Sequence, residues 1–168
     1  MSSRPLDYFQ FKNGELTSEG VPLEQLAKEH GTPLYVYSEN ALLDPIRRLK
    51  KVLSEIKPLI CFAVKANSNL SILKVLAAEE VGMDLVSIGE LKRALHAGVR
   101  PEKIVFSGVG KSISEISEAI KYPLHSFNAE SVPELELINE VAGKHKTRAK
   151  VALRFNPDVN PKTHPYIS

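Results

Sequence analysis

Residues 59–69 read LICFAVKANSN, and this stretch decides the fold. Six apolar residues run into Lys65, and the turn-forming Ala66-Asn67-Ser68-Asn69 follows at once. A short, unbroken apolar run suits a strand buried on both faces, as in a parallel sheet. Taken alone, it suits a buried helix segment equally well. The next residues settle the matter, because Leu70, Leu73 and Leu76 recur at helical spacing and form one apolar stripe. Strand, turn and helix therefore follow one another.

The same alternation recurs on the C-terminal side. Asp84–Ser87 (DLVS), Lys103–Ser107 (KIVFS), Leu124–Phe127 (LHSF) and Ala149–Phe155 (AKVALRF) are strand-like. Between them lie helical stripes: Leu91, Ala94 and Leu95, then Ile113, Ile116 and Ile120, then Leu135, Ile138 and Val141. Ser112 with Glu115 and Ser131 with Glu134 fit capping boxes, and Gly98 and Gly143 suit left-handed helix ends. Strand starts repeat every 20 to 26 residues, roughly the length of one βα unit with a right-handed crossover. Two architectures satisfy this pattern: an open doubly wound sheet and part of a (β/α)8 barrel. An open five-stranded sheet would be complete at this length, whereas a barrel needs about 250 residues.

The first 58 residues break the repeat. A short helix over Pro22–His30, closed by Gly31, leads through Thr32-Pro33 to the strand-like LYVYS. A longer helix follows, with Ile46, Leu49, Leu53 and Ile56 on one face and Asp44-Pro45 as its expected cap and first residue. Residues 1–37 read as an N-terminal arm, and residues 38–168 as the repeating portion.

Composition narrows the function classes. The chain has 168 residues, 43% apolar and 25% charged, which is ordinary for a packed core. Twenty-two basic against 20 acidic residues leave a net charge of +2, no argument for nucleic acid as a partner. One cysteine, Cys61, excludes a disulfide framework and a thiolate zinc site, and reads as a small buried hydrophobe. No apolar run approaches the roughly 20 residues of a membrane span, and the N-terminus lacks a signal-peptide core. A cytoplasmic chain is expected. The basic cluster at Lys144–Lys150 belongs to a solvated helix end.

Lys65 is the sharpest chemical feature. A lysine at the carboxyl end of a buried strand sits where sheets and barrels hold their ligands. Partial burial there favours the neutral amine that imine formation requires. A lysine that merely snorkels at a strand end has the same local pattern. Gly108–Ser112 (GVGKS) follows a strand and opens a helix, but Val105 stands where a phosphate loop needs glycine. It remains either a tight loop or an anion-accepting corner. Asp84, Glu90 and Glu130 are unremarked as singletons. His125 reads as a hydrogen-bonded core residue within a strand, and His30, His96, His145 and His164 show no metal-ligand spacing.

Five blocks then carry a resemblance: CFAVKANSNLSILKVLA, MDLVSIGELKRALHAGV, PEKIVFSGVGKS, FNAESVPELELIN and RFNPDVNPKTHPYIS. In this order they resemble the diaminopimelate decarboxylases, pyridoxal-phosphate enzymes built on an alanine-racemase-like barrel. The likeness runs from Pro33 to Ser168, and SGVGKS with KTHPYIS is its most specific part. It implies a partial (β/α)8 barrel of about five βα units, with the arm packed on a C-terminal β domain. By the resemblance, Lys65 carries pyridoxal phosphate covalently, Asp84 and Arg154 are cofactor-binding residues, Asp84 beside the cofactor and Arg154 on the mouth of the barrel, and His164 lies on a loop over the site. Ile88 departs from the small residue usual in SGGE, and its side chain is expected to crowd a helix N-terminus.

The implied reaction turns meso-diaminopimelate into L-lysine and CO2, in a homodimer that needs no metal. The resemblance also implies parts beyond residue 168: a ring-stacking histidine, a glycine-rich phosphate loop, a glutamate facing the pyridine nitrogen, an acidic cysteine motif and the β domain. The 168-residue chain alone is therefore expected to release negligible CO2 from meso-diaminopimelate. A non-catalytic half-barrel, or another pyridoxal-phosphate barrel protein, are the competing readings.

Overall fold

A computed structural model describes residues 8–155 and Pro157. Contacts divide the chain after Pro58 into two compact units. The first holds a small antiparallel sheet, β1 (Phe9–Lys12), β2 (Glu15–Ser18) and β3 (Val21–Pro22), followed by helices α1 (Leu23–His30) and α2 (Glu39–Val52). Helix α2 thus shares a unit with the arm, whereas the sequence division starts the repeating portion at residue 38.

Two local expectations change in this unit. Helix α2 begins at Glu39, capped by Ser38, whose hydroxyl accepts the Ala41 N–H at 3.0 Å. Glu19 accepts the Asn40 N–H at 3.0 Å and also bonds Ser38. These acceptors satisfy the first-turn donors, and so the helix starts more than a turn before Pro45. Hydrogen bonds from Ser38 and Asn40 hold the Glu19 carboxyl below its usual range. Asp44 caps nothing; it accepts the Tyr8 hydroxyl at 2.9 Å. LYVYS joins no sheet among the described residues: the segment has no ladder partner, and Tyr35 is 86% exposed.

The second unit is the repeat. Its strands are β4 (Cys61–Ala63), β5 (Gly82–Leu85), β6 (Ile104–Phe106), β7 (Ser126–Ala129) and β8 (Val151–Leu153). Helices α3 (Leu70–Ala78), α4 (Ile88–His96), α5 (Ile113–Ala119) and α6 (Val132–Lys144) lie between them. All four strand pairings are parallel, and the order β4-β5-β6-β7-β8 never reverses.

That order separates the two architectures. A doubly wound sheet reverses direction about its first strand, whereas a barrel adds each strand beside the last. Right-handed crossovers that always advance the same way put every helix on one face. Neighbouring helices accordingly contact in sequence, α3 with α4, α4 with α5 and α5 with α6. The described residues form four βα units and a fifth strand of a (β/α) barrel.

The core lies between sheet and helices. Leu73, Leu76, Met83, Leu85, Leu91, Ile104, Phe106 and Ile116 are fully buried. Each contributes roughly 1.5–3 kcal/mol of transfer free energy. Phe106 and Phe127 stack with centroids 5.9 Å apart. Leu73, Leu76, Leu91, Ala94, Ile116, Ile120, Ile138 and Val141 of the predicted stripes are buried, and Leu70, Leu95 and Leu135 are half-buried. Ile113 is exposed at the first position of α5, and in the stripe expected of α2 Leu49 and Ile56 are exposed.

Helix ends follow the sequence unevenly. Gly98 takes φ +90° after α4, and the Val99 N–H closes on the Ala94 carbonyl. Gly143 stays inside α6, and Lys146 takes the left-handed turn instead at φ +52°. The Thr147 N–H then bonds the Ala142 carbonyl, so the cap is set by hydrogen-bond register and not by the glycine.

Candidate active site

Strand alternation places the site. Side chains at Met83, Leu85, Ile104, Phe106 and Phe127 point into the helix layer and are buried. The intervening residues Asp84, Val105, Ser126 and Asn128 therefore face the inner side of the sheet. Register pairs Ala63 with Asp84, Asp84 with Val105 and Val105 with Ser126. Lys65 lies two residues beyond Ala63, in the 3-10 turn Val64–Ala66 that follows β4. It stands at the carboxyl end of the sheet, on the strand beside Asp84.

The expected partial burial of Lys65 is corrected. The turn takes it out of the ladder, and its side chain is exposed while neighbouring Val64 is buried. No described residue bonds its ammonium, so the side chain is accessible to a ligand.

Asp84 is bound on its inner side. Its Oδ1 accepts the Ser107 hydroxyl at 2.6 Å, and the Asn128 Nδ2 donates to that hydroxyl oxygen at 3.0 Å. Cys61, on the same face of β4, is half-buried; burial, aided by the Asp84 carboxylate, pushes its thiol up to about 11. It is inert at neutral pH.

The rim is laced with carboxylates. Arg154 follows β8, and its Nη1 donates to Glu130 Oε2 at 2.9 Å. Glu130 Oε1 also accepts the Gly108 N–H at 3.1 Å. Glu115 accepts the N–H groups of Ile88 and Ser112, both at 3.1 Å, and these bonds hold its carboxyl below the usual range. Ser112 and Glu115 form the full capping box. Ser131 accepts the Glu134 N–H, but Glu134 returns no bond to Ser131; it accepts instead from the Glu130 N–H and from Lys111. A third such junction, Ser87 with Glu90, was not singled out from sequence: Ser87 caps α4, and Glu90 accepts the Val86 N–H at 2.6 Å. Ile88 opens α4 with that cap intact, so the anticipated crowding does not displace it.

Lys111 is the residue sequence reasoning missed. Its side chain is wholly buried, and its three ammonium protons meet Gly108 O at 2.7 Å, Asn128 O at 2.8 Å and Glu134 Oε1 at 2.6 Å. At the GVGKS corner the Lys111 ammonium acts as a structural clamp, and the Gly108 and Ser112 N–H groups are taken by Glu130 and Glu115. The signal in the sequence is a lysine that follows two glycines and precedes a capping serine, a pattern that neither a tight loop nor an anion-accepting corner explains. His125 is corrected too: its side chain is exposed, and it precedes β7, where its N–H bonds the Ile104 carbonyl. His164 lies outside the described residues. Among the described residues no cluster of His, Cys, Asp or Glu has metal-binding geometry, and no helix is long and apolar enough to cross a membrane.

A parallel (β/α) barrel with a free lysine and a tethered carboxylate at the strand ends is the layout of a small-molecule enzyme of the barrel class. The chain belongs to the pyridoxal-dependent decarboxylase family, whose pyridoxal binding domain matches residues 40–168. It is 50% identical over 164 residues to a diaminopimelate decarboxylase of Vibrio cholerae, covering 97% of this chain and 39% of that protein. The crystal structure of a diaminopimelate decarboxylase from M. jannaschii in complex with L-lysine superposes with a TM-score of 0.87 at 39% identity, over 95% of this chain and 38% of that one. One from Helicobacter pylori, also with L-lysine, gives a TM-score of 0.83 at 47% identity, over 87% and 37%. The chain spans about two fifths of the length of the relatives it matches.

Proposed function

We propose that this chain is the N-terminal part of a cytoplasmic, homodimeric decarboxylase that uses pyridoxal phosphate to convert meso-2,6-diaminopimelate to L-lysine and CO2. One observation carries the reading: an unbonded Lys65 amine at the carboxyl end of β4, on the strand beside Asp84, within a matched pyridoxal-binding domain. The exposed Lys65 side chain fits the cofactor's aldehyde, which condenses with an amine, and Asp84 lies on the neighbouring strand. The domain match beginning at residue 40 supports the division into an arm, 1–37, and a barrel portion, 38–168.

Each residue then has a task. Lys65 Nζ would hold the cofactor through its amine, and as a free amine it would carry a proton beside the reacting carbon. When bound, pyridoxal phosphate supplies an electron sink for the pair released as the α-carboxylate leaves as CO2. Asp84, held by Ser107, presents fixed negative charge to the inner face. Arg154, whose guanidinium on the rim is held by Glu130, is assigned with Asp84 to cofactor binding.

Borohydride reduction of the chain with pyridoxal phosphate, followed by peptide mapping, tests the assignment. The label is expected on Lys65 and absent from Lys65→Ala; label spread evenly over surface lysines sinks it.

A further inference from the structure

The inner face of the sheet carries a hydrogen-bond chain with a defined direction. Ser126 Oγ donates to Asn128 Oδ1 at 3.2 Å, two residues along the same face of β7. That contact fixes the amide's orientation, because the oxygen faces Ser126 and the nitrogen must face away. Asn128 Nδ2 then donates to Ser107 Oγ at 3.0 Å. With its oxygen occupied by that donor, the Ser107 hydroxyl sends its one proton to Asp84 Oδ1 at 2.6 Å. Three strands, β5, β6 and β7, are crossed, and every donor points toward Asp84.

The buried lysine sets the far end. Lys111 Nζ binds the backbone carbonyl of Asn128 and that of Gly108, the residue after Ser107. It therefore ties together the two strand ends from which Asn128 and Ser107 project, and Glu134 neutralises its charge.

We propose that Ser107 and Asn128 are positioning residues, which hold Asp84 Oδ1 through a one-way hydrogen-bond chain anchored by Lys111 and so leave Oδ2 toward the group carried on Lys65. The second half of this statement rests on Lys65 carrying pyridoxal phosphate; the chain itself does not. Asn128→Asp is the sharpest perturbation. A carboxylate at 128 only accepts, so the Ser107 hydroxyl turns toward it and Asp84 loses its donor. Ser107→Ala removes the donor outright, and Ser107→Thr restores it.

Two measurements on the full chain keep the parts separable. The Asp84 carboxyl-carbon NMR shift at neutral pH is expected to move in Ser107→Ala and Asn128→Asp and to return to the parent value in Ser107→Thr. A resonance unmoved in Ser107→Ala, in a variant whose remaining spectrum is unchanged, overturns the chain. Borohydride trapping gives the second readout. Half-maximal labelling of Lys65 is expected to need about fivefold more pyridoxal phosphate in Ser107→Ala, the effect of one lost hydrogen bond, with Ser107→Thr within about twofold of the parent. Equal labelling curves for parent and Ser107→Ala overturn the link from Asp84 to Lys65. If the parent labels no better at Lys65 than at other lysines, it is the cofactor reading that fails, and the Asp84 resonance still decides the chain.

Discussion

Lys111 shows what a buried charge demands. A lysine side chain with no solvent exposure is tolerable only when each of its three protons has an acceptor and a counter-charge is near, and here all three acceptors lie within 2.8 Å. The ammonium also lies 5.9 Å from the Phe106 ring centre. Lys111→Met is expected to lower stability by about 3–5 kcal/mol, because it leaves Glu134 charged and unpaired. Lys111→Met with Glu134→Gln should recover part of that loss, and urea denaturation midpoints with constant slope measure both. Glu115 gives a pH signature of known sign. Its folded carboxyl titrates below the ordinary 4.5, held there by the Ile88 and Ser112 N–H groups, so its contribution is full above that value and fades as pH falls through the folded one. Glu115→Ala should therefore cost about 1–2 kcal/mol at neutral pH and progressively less in acid, as paired melts across pH 3 to 7, roughly the carboxylate range, will show.

At the scale of elements, the pattern of strands and helices was legible, and the errors fall at their ends. Three of the five apolar runs contain their strand and the other two overlap it, because short hydrophobic runs have few other places to go in a repeating βα chain. Boundaries shifted by about two residues at β5 and β7, since ladder partners, not hydrophobicity, decide where pairing begins. In helix α2 the Asp-Pro start signal is overridden by two acceptors that move the start to Glu39, the local cap Ser38 and Glu19 on a distant turn. Pro45 remains inside the helix and has no N–H to offer the Ala41 carbonyl. Pro45→Ala should raise the melting temperature, with a gain of at most about 3 kcal/mol. Gly82 in β5 is required for space: a Cβ there would meet the Lys103 carbonyl oxygen and lie 2.9 Å from Cys61 Sγ. Gly82→Ala is expected to destabilise the unit by about 1–3 kcal/mol, read from the same denaturation curves.

Across the whole molecule, the sequence by itself determined the element types, the parallel repeat and the position of Lys65 at the end of its strand. These follow from local periodicity and turn chemistry, which neighbouring residues encode. The resemblance carried by the five blocks named the family, and the domain match bears it out. Only the tertiary structure decided between an open sheet and a barrel, because strand order is a relation between segments some 20 residues apart and leaves no mark within any one of them. Only it revealed that Lys65 is exposed, that Lys111 is buried, and that Ser107 and Asn128 lead to Asp84. Those side chains come from different strands and meet through register. A polar residue in a strand shows its spacing in sequence, but its partner is chosen by the strand that folds beside it.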